Sequence, residues 1–263
     1  MREFRSIFIY RGVVMSDRTT SRTSKRKALR LEREKRQKRQ RITTLLIIIG
    51  VALIVVALLV YPTLKQSLTP VGEIVKVTPQ PRPMASFNST GDPNAPVKLI
   101  EYSDFQCPYC KLFSDQTEKR IVDNYIATGK VYYTYVPFGP GGNYIGQESK
   151  DAAMAAFCAG DQGKFWEYHD ILFANQTGEN VGDFTEKRLM AMAETLGLDL
   201  GKFQSCYKSQ QFETQLAQGI SEGLKAGIGG TPSFLVNGQK IEGAQPYDAF
   251  QQAIEAALAA SGK

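Results

Sequence analysis

Histidine is almost absent from this chain of 263 residues: His169 is the only one. Cysteine is scarce too, with four, and two of these, Cys158 and Cys206, stand far from any other candidate ligand. Tetrahedral zinc needs four ligands at compatible spacing, so no metal site is expected. His169 lies in FWEYHD (residues 165–170) and reads as a packed structural residue, with Phe165, Trp166 and Phe173 recurring beside it at helical spacing. No internal repeat is visible. Residues 42–61 carry no charge at all, and no aromatic residue interrupts the basic run of residues 24–41. The first absence points to a membrane, and the second argues against a nucleic-acid partner.

What is present divides the chain. Residues 1–41 hold 15 Lys/Arg against 4 Asp/Glu, so the net charge of +6 belongs to the N-terminal arm and the remainder is mildly acidic. Thr43–Tyr61 reads TTLLIIIGVALIVVALLVY. As a helix this run covers roughly 28 Å, close to the ~30 Å hydrocarbon core of a bilayer. A cleaved signal peptide is the alternative. Its apolar core is usually ~7–15 residues long and is followed by a small-x-small site, whereas Tyr61-Pro62-Thr63-Leu64-Lys65 follows here. The expectation is therefore a single transmembrane anchor at 42–61, with a cytoplasmic basic arm at 1–41 against the inner leaflet and residues 62–263 outside. Met15-Ser16-Asp17 reads as an ordinary start, which would leave residues 1–14 untranslated. Residues 62–96 carry seven of the twelve prolines. A semi-stiff tether over 62–85 is expected, with a possible short strand at 72–77, before a folded domain at 86–263.

Within that domain the strand and helix periods alternate clearly. Val97–Tyr102 is an apolar, β-rich run, and Lys130–Val136 (KVYYTYV) is a second. Between them Cys110–Ala127 has helical spacing. A helical block of about 145–227 follows, with breaks expected near 160–163, 177–182, Gly197 and Gly201. Ser233–Val236 and Gln239–Glu242 then flank Asn237-Gly238, a hairpin signal, and Asp248–Ala260 closes the chain as an amphipathic helix. At the first strand-to-helix switch stands Cys107-Pro108-Tyr109-Cys110. Cysteines at i and i+3 on a helix start can form a small reversible disulfide, and the unpaired N–H groups there favour a thiolate, the nucleophile of disulfide exchange. In an oxidising compartment this pair would leave Cys158 and Cys206 to join each other, the alternative being two buried free thiols. Thr231-Pro232 precedes the hairpin, where it is either an ordinary turn or a cis bond.

EYSDFQCPYC, GTPSFLVNG and the order β-α-β, helical block, β-β-α together resemble the DsbA-like thiol–disulfide oxidoreductases, over about Asp92 to Leu258. The resemblance implies an α/β thioredoxin fold with an inserted all-helical subdomain at about 143–228. It implies Cys107 as the attacking sulfur, Cys110 as the resolving one, Pro108 and Tyr109 as the dipeptide that tunes thiolate stability, and Thr231-Pro232 as a cis-proline loop facing the cysteines. Glu101, six residues before Cys107, matches a buried acid able to relay a proton for Cys110; otherwise it is an edge-strand surface residue. One departure stands out: Tyr109 replaces the histidine of the strongly oxidising members, so a milder oxidant is expected.

The function expected on this basis is disulfide formation in exported, cysteine-containing proteins. No cofactor is expected, the domain is expected to be a monomer, and a membrane quinone-linked thiol oxidase would restore the disulfide. Two alternatives stay open at this point. One is a reductase or isomerase of the same fold, although isomerases of this type dimerise through a further domain that 62–85 is too short to supply. The other is a non-catalytic module that binds extended peptides.

Overall fold

The computed structural model describes residues 17–68 and 70–262, so the expectation about Met15 and the residues before it lies outside it. The chain divides between Pro70 and Val71 into two compact units. The first contains one helix, α1 (Asp17–Leu68), which extends beyond both ends of the apolar run. Its stretch Arg26–Tyr61 is long and apolar enough to cross a membrane. Leu45, Leu46, Leu58 and Leu59 along it are all exposed, as an apolar helix without a protein core around it requires.

The second unit is built on a mixed sheet of β1 (Ser89–Thr90), β2 (Val97–Ser103), β3 (Val131–Pro137), β4 (Ser233–Val236) and β5 (Gln239–Glu242). The strands lie in the order β1-β3-β2-β4-β5, with β2 central, parallel to β3 and antiparallel to β4. Asn237 and Gly238 both take positive φ, the conformation that a tight hairpin turn between β4 and β5 demands. Alternation along β2 sends Val97, Leu99, Glu101 and Ser103 to one face and Ile100 and Tyr102 to the other.

The Ile100 face is covered by α8 (Glu213–Lys225). That helix approaches closely because Gly223 faces Tyr102 and Phe138, where an added Cβ would lie 2.8 Å from both rings. The other face is covered by α9 (Tyr247–Ala260) and by a continuous helical run from Pro108 to Ile126. The run comprises α2 (Pro108–Phe113), a π-helical turn at Ser114–Glu118, α3 (Lys119–Ile121) and a second π turn at Val122–Ile126.

The helical insertion between β3 and β4 consists of α4 (Gln147–Gly160), α5 (Phe165–Asn175), α6 (Glu186–Thr195), α7 (Leu200–Lys208) and α8. Gly201 does not break a helix: Asp199 caps α7 by accepting from the Lys202 N–H, so the glycine sits inside the first turn. The Ala-rich α4 is buried over most of its length, as a helix surrounded by others must be. Cys158 on α4 is disulfide-bonded to Cys206 on α7, with Cα atoms 5.8 Å apart and a sequence separation of 48. The chain-entropy model assigns a crosslink of that span about 4 kcal/mol. Replacing both cysteines by alanine is expected to lower the denaturant midpoint of the domain accordingly; an unchanged midpoint would show that the bond carries no stability.

Residues 71–85 differ from the expected free tether. They run extended, yet from Val71 onward they lie along the body. Ile74 and Val77 pack against the core. The Val75 N–H donates to Asn175 Oδ1 (2.8 Å), the Asn175 amide donates back to Val75 O (2.9 Å), and Arg188 Nη1 donates to Val71 O (2.7 Å). Because side chains meet these backbone groups, no strand forms at 72–77.

Candidate active site

Cys107 ends the loop after β2 and stands at the N-cap of α2, with extended backbone (φ −68°, ψ 121°). Its carbonyl accepts the N–H groups of Cys110 and Lys111, both at 3.1 Å. Pro108 occupies the first helical turn, where its missing N–H costs nothing. That geometry turns Tyr109 outward, 62% exposed, and Cys110 inward, fully buried.

The preceding loop is fixed by a polar cluster. Asp104 Oδ1 accepts from the Gln106 N–H (2.8 Å) and from Ser149 Oγ on α4 (2.6 Å), and the Asp104 N–H points at Cys110 Sγ (3.4 Å). Gln176 Nε2 donates to Gln106 O (2.6 Å), and the Asn180 N–H donates to Gln106 Oε1. The insertion thus holds the cysteine loop in place.

The Thr231–Pro232 peptide is cis, and Cys107 Sγ lies 3.5 Å from Thr231 O. Aromatic packing sets that approach. Phe113, six residues beyond Cys107, and Phe234, two beyond Pro232, have ring centroids 4.4 Å apart, and Phe250 of α9 closes the trio at 5.2 and 4.7 Å. The neighbouring loop joins in through the Gly141 N–H, which donates to Gly229 O (3.0 Å).

The two thiols are free and are driven apart in acidity. Cys107 is lowered to about 6, first by the hydrogen bond from the Cys110 thiol, then by the Thr231 hydroxyl and the N–H groups of Cys110 and Tyr109, against the opposing effect of burial. Cys110 is pushed well above its ordinary value by burial and by its neighbour Cys107. Cys107, with 6% of its surface still exposed, therefore favours the thiolate near neutral pH, and Cys110, with none exposed, is a sealed thiol.

Glu101 is on the central strand and fully buried, so the surface alternative does not hold. Burial, and after it the charge of Glu118, raise its pKa to about 7. Tyr133 Oη donates to Glu101 Oε2. The Ser103 hydroxyl lies against both Glu101 and Cys110 and favours the ionised form of each, although it completes no hydrogen bond of full geometry with either. Tyr135 is fully buried beside the same groups, its hydroxyl also without a hydrogen bond.

His169 is buried among Phe105, Tyr135, Trp166 and Phe173, as a packed structural residue would be, and its Nδ1 lies 3.0 Å from Asp170 Oδ1. The disulfide Cys158–Cys206 belongs to the insertion. No cluster of metal-ligating side chains is found among the described residues.

Cys107, Cys110, Glu101, Thr231 and Pro232 thus belong to one site. Ser103, Asp104, Tyr133 and Tyr135 belong with them and were not singled out from the sequence. Period-two alternation held the signal for Ser103, Tyr133 and Tyr135, which VKLIEYS and VYYTYVP place at inward positions, whereas Asp104 follows β2 in the loop and has no such signal.

The profile of the family described as thioredoxin matches residues 87–256. The chain is similar to the Na(+)/H(+) antiporter NhaA 1 of Salinispora arenicola, 33% identical over 177 residues, which cover 64% of this chain and 24% of that protein. The chain therefore spans only about a quarter of that relative's length. It is also similar to the disulfide bond formation protein D of Bacillus subtilis, 28% identical over 178 residues, covering 64% of this chain and 75% of that protein. Among solved structures, oxidised BdbD from Bacillus subtilis superposes with a TM-score of 0.60 at 24% identity, over 70% of this chain and 100% of that one, a likeness of fold.

Proposed function

The chain belongs to the thioredoxin family, and from that premise we propose that it is a membrane-anchored thiol–disulfide oxidoreductase that donates a Cys107–Cys110 disulfide to exported proteins. The observation that carries this reading is the split acidity of the pair: Cys107 is lowered to about 6 beside the Thr231 carbonyl, and Cys110 is raised and sealed beneath it. In the donating direction a substrate thiolate attacks Cys107 Sγ, the Cys107–Cys110 bond breaks, and Cys110 leaves with the electron pair. Its high proton affinity calls for a proton at that moment, and the Glu101 carboxyl supplies one past Ser103. A second substrate thiolate then attacks the substrate sulfur of the mixed disulfide and releases Cys107 as a thiolate. The substrate loses two electrons and two protons, one of which restores the Glu101 carboxyl, and the protein ends with Cys110 as a thiol and Cys107 as a thiolate.

The same reading assigns residues 1–41 to the cytoplasm, 42–61 to the bilayer and the domain from Val71 on to the outside, acting as a monomer. The apolar helix and the basic residues before it support that orientation. Pro108 and Tyr109 tune the thiolate. Thr231 and Pro232 offer backbone to an extended substrate. A quinone-linked thiol oxidase in the membrane would return the pair to the disulfide.

The test is disulfide transfer from the oxidised full-length protein, in detergent, to a reduced unfolded protein with two cysteines. One substrate disulfide formed per Cys107–Cys110 pair is expected, with none from Cys107→Ala. Equal transfer by wild type and Cys107→Ala would end the proposal.

A further inference from the structure

Next to Glu101 lies a set of buried charges that the exchange steps above do not use. Arg82, on the extended segment before the sheet, has a side chain only 2% exposed and donates through Nη2 to Glu118 Oε1 (2.9 Å) and Asp170 Oδ1 (3.2 Å). Its guanidinium stacks over the Trp166 ring, 4.8 Å from the centroid. Glu118 ends the first π turn, is itself 1% exposed, and takes a second hydrogen bond from Ser114 Oγ (3.0 Å). One hydroxyl links the two acids: Tyr133 Oη donates to Glu101 and stands 3.4 Å from Glu118 Oε1.

Around Glu101 several packed elements present polar groups, while β4 places Phe234 opposite it. Glu118 comes from the helical run, Arg82 from the N-terminal segment, His169 and Asp170 from α5, Tyr133 and Tyr135 from β3, and Cys110 from α2. Among these, only Glu118 adds a like charge at hydrogen-bond range of the shared hydroxyl, and only Arg82 forms an ion pair with it at full contact. Arg82 also lies before the residues that match the thioredoxin family, 87–256.

We infer that Glu118 and Arg82 are positioning residues that set the proton affinity of Glu101 through the shared Tyr133 hydroxyl, so that the segment preceding the thioredoxin fold supplies part of the proton-transfer site. This rests on the proposed exchange reaction. The physical basis is repulsion between two carboxylates in a medium that screens poorly: Glu118 favours the neutral Glu101 carboxyl, and Arg82 limits how far. The raised pKa of Glu101, with Glu118 second only to burial among its causes, agrees with that geometry.

The experiment is an infrared titration of the Glu101 carboxyl band in the full-length protein, identified by difference from Glu101→Gln, alongside the pH profile of disulfide transfer. Glu118→Gln is expected to move the midpoint down by about one pH unit or more, a tenfold loss of proton affinity. Arg82→Gln is expected to move it up, and Glu118→Asp, which keeps the charge, to return it toward wild type. The transfer profile should shift with the band. A merely structural role would lower the melting temperature of all three variants without moving the midpoint in opposite directions, and that result would overturn the inference. Should Glu118→Gln fail to fold, the upward shift of Arg82→Gln decides, and its absence overturns the inference. A wild-type protein that transfers no disulfide while the midpoints move would instead overturn the oxidoreductase reading, and with it the purpose assigned to the pair.

Discussion

Cys110→Ala is expected to convert the protein into a trap. Offered a peptide disulfide at pH 7, the variant should accumulate a covalent adduct at Cys107 approaching one per chain, whereas the wild type should release the peptide and close its own disulfide. The expectation follows from the two acidities. With a pKa of about 6, wild-type Cys107 is roughly nine-tenths thiolate at pH 7, against a few per cent for an ordinary thiol. The variant loses the hydrogen bond from the Cys110 thiol but keeps the Thr231 hydroxyl and the backbone N–H groups, so its adduct should form more slowly and still persist. Cys110 is fully buried and the other thiol of the pair, so without it no internal sulfur can resolve the adduct. The reciprocal variant Cys107→Ala should form almost no adduct, because Cys110 is both inaccessible and pushed well above its ordinary pKa. Intact-protein mass spectrometry after acid quenching reads both outcomes, and adduct yields that are alike in the two variants would contradict the assigned roles.

Glu101→Gln is expected to have two effects of opposite sign. Activity should fall, because general acid–base help at Cys110 is lost; such groups contribute on the order of a hundredfold or more, and the loss should appear in the Cys110-dependent step alone. Stability should rise at alkaline pH. The pKa of Glu101 is raised from an ordinary value of 4.5 to about 7, so the carboxyl is protonated in folded and unfolded chains below pH 4.5 and burdens neither. As pH climbs from 4.5 through 7 the unfolded chain ionises freely while the folded one resists, and the wild type loses about 3 kcal/mol. An amide at this position does not ionise and escapes that loss. Denaturation at pH 8 should show the variant more stable by about that amount, with the difference vanishing near pH 4. A variant less stable than wild type at pH 8 would mean that ionised Glu101 is held by favourable contacts, contrary to its environment.

The cysteine pair and its fold could be read from the chain because their signals are local. The CPYC motif stands where a β-rich run passes into a helical one, Asn237-Gly238 marks its hairpin by conformational necessity, and β4 and β5 fall at Ser233–Val236 and Gln239–Glu242 as the alternation suggests. The rest depends on distant partners. Residues 71–85 resemble a linker in their prolines and lack of periodicity, yet Asn175 and Arg188, about a hundred residues further on, hold their backbone. Arg82 and Glu118 look like solvent-facing charges in sequence, and nothing within a few residues of either reveals that they meet 36 positions apart in the interior. Two-residue β1 is too short for any period to show. Glu101 fell between these cases: its spacing from Cys107 suggested a role, but only its neighbours on three other elements explain its proton affinity.

These residues together fit the proposed disulfide donor, at intermediate strength. Contacts that stabilise the Cys107 thiolate stabilise the reduced pair, and so make its disulfide the more oxidising. At about 6, Cys107 lies between the ≈3.5 of a strong oxidant and the ≈7 of a reductant, in keeping with an uncharged Tyr109 at its side. The measurement that tests this most directly is the equilibrium reduction potential of the Cys107–Cys110 pair in the full-length protein against glutathione. The account predicts a value between about −120 and −230 mV, while a value at or below about −270 mV would contradict it and make the protein a reductase.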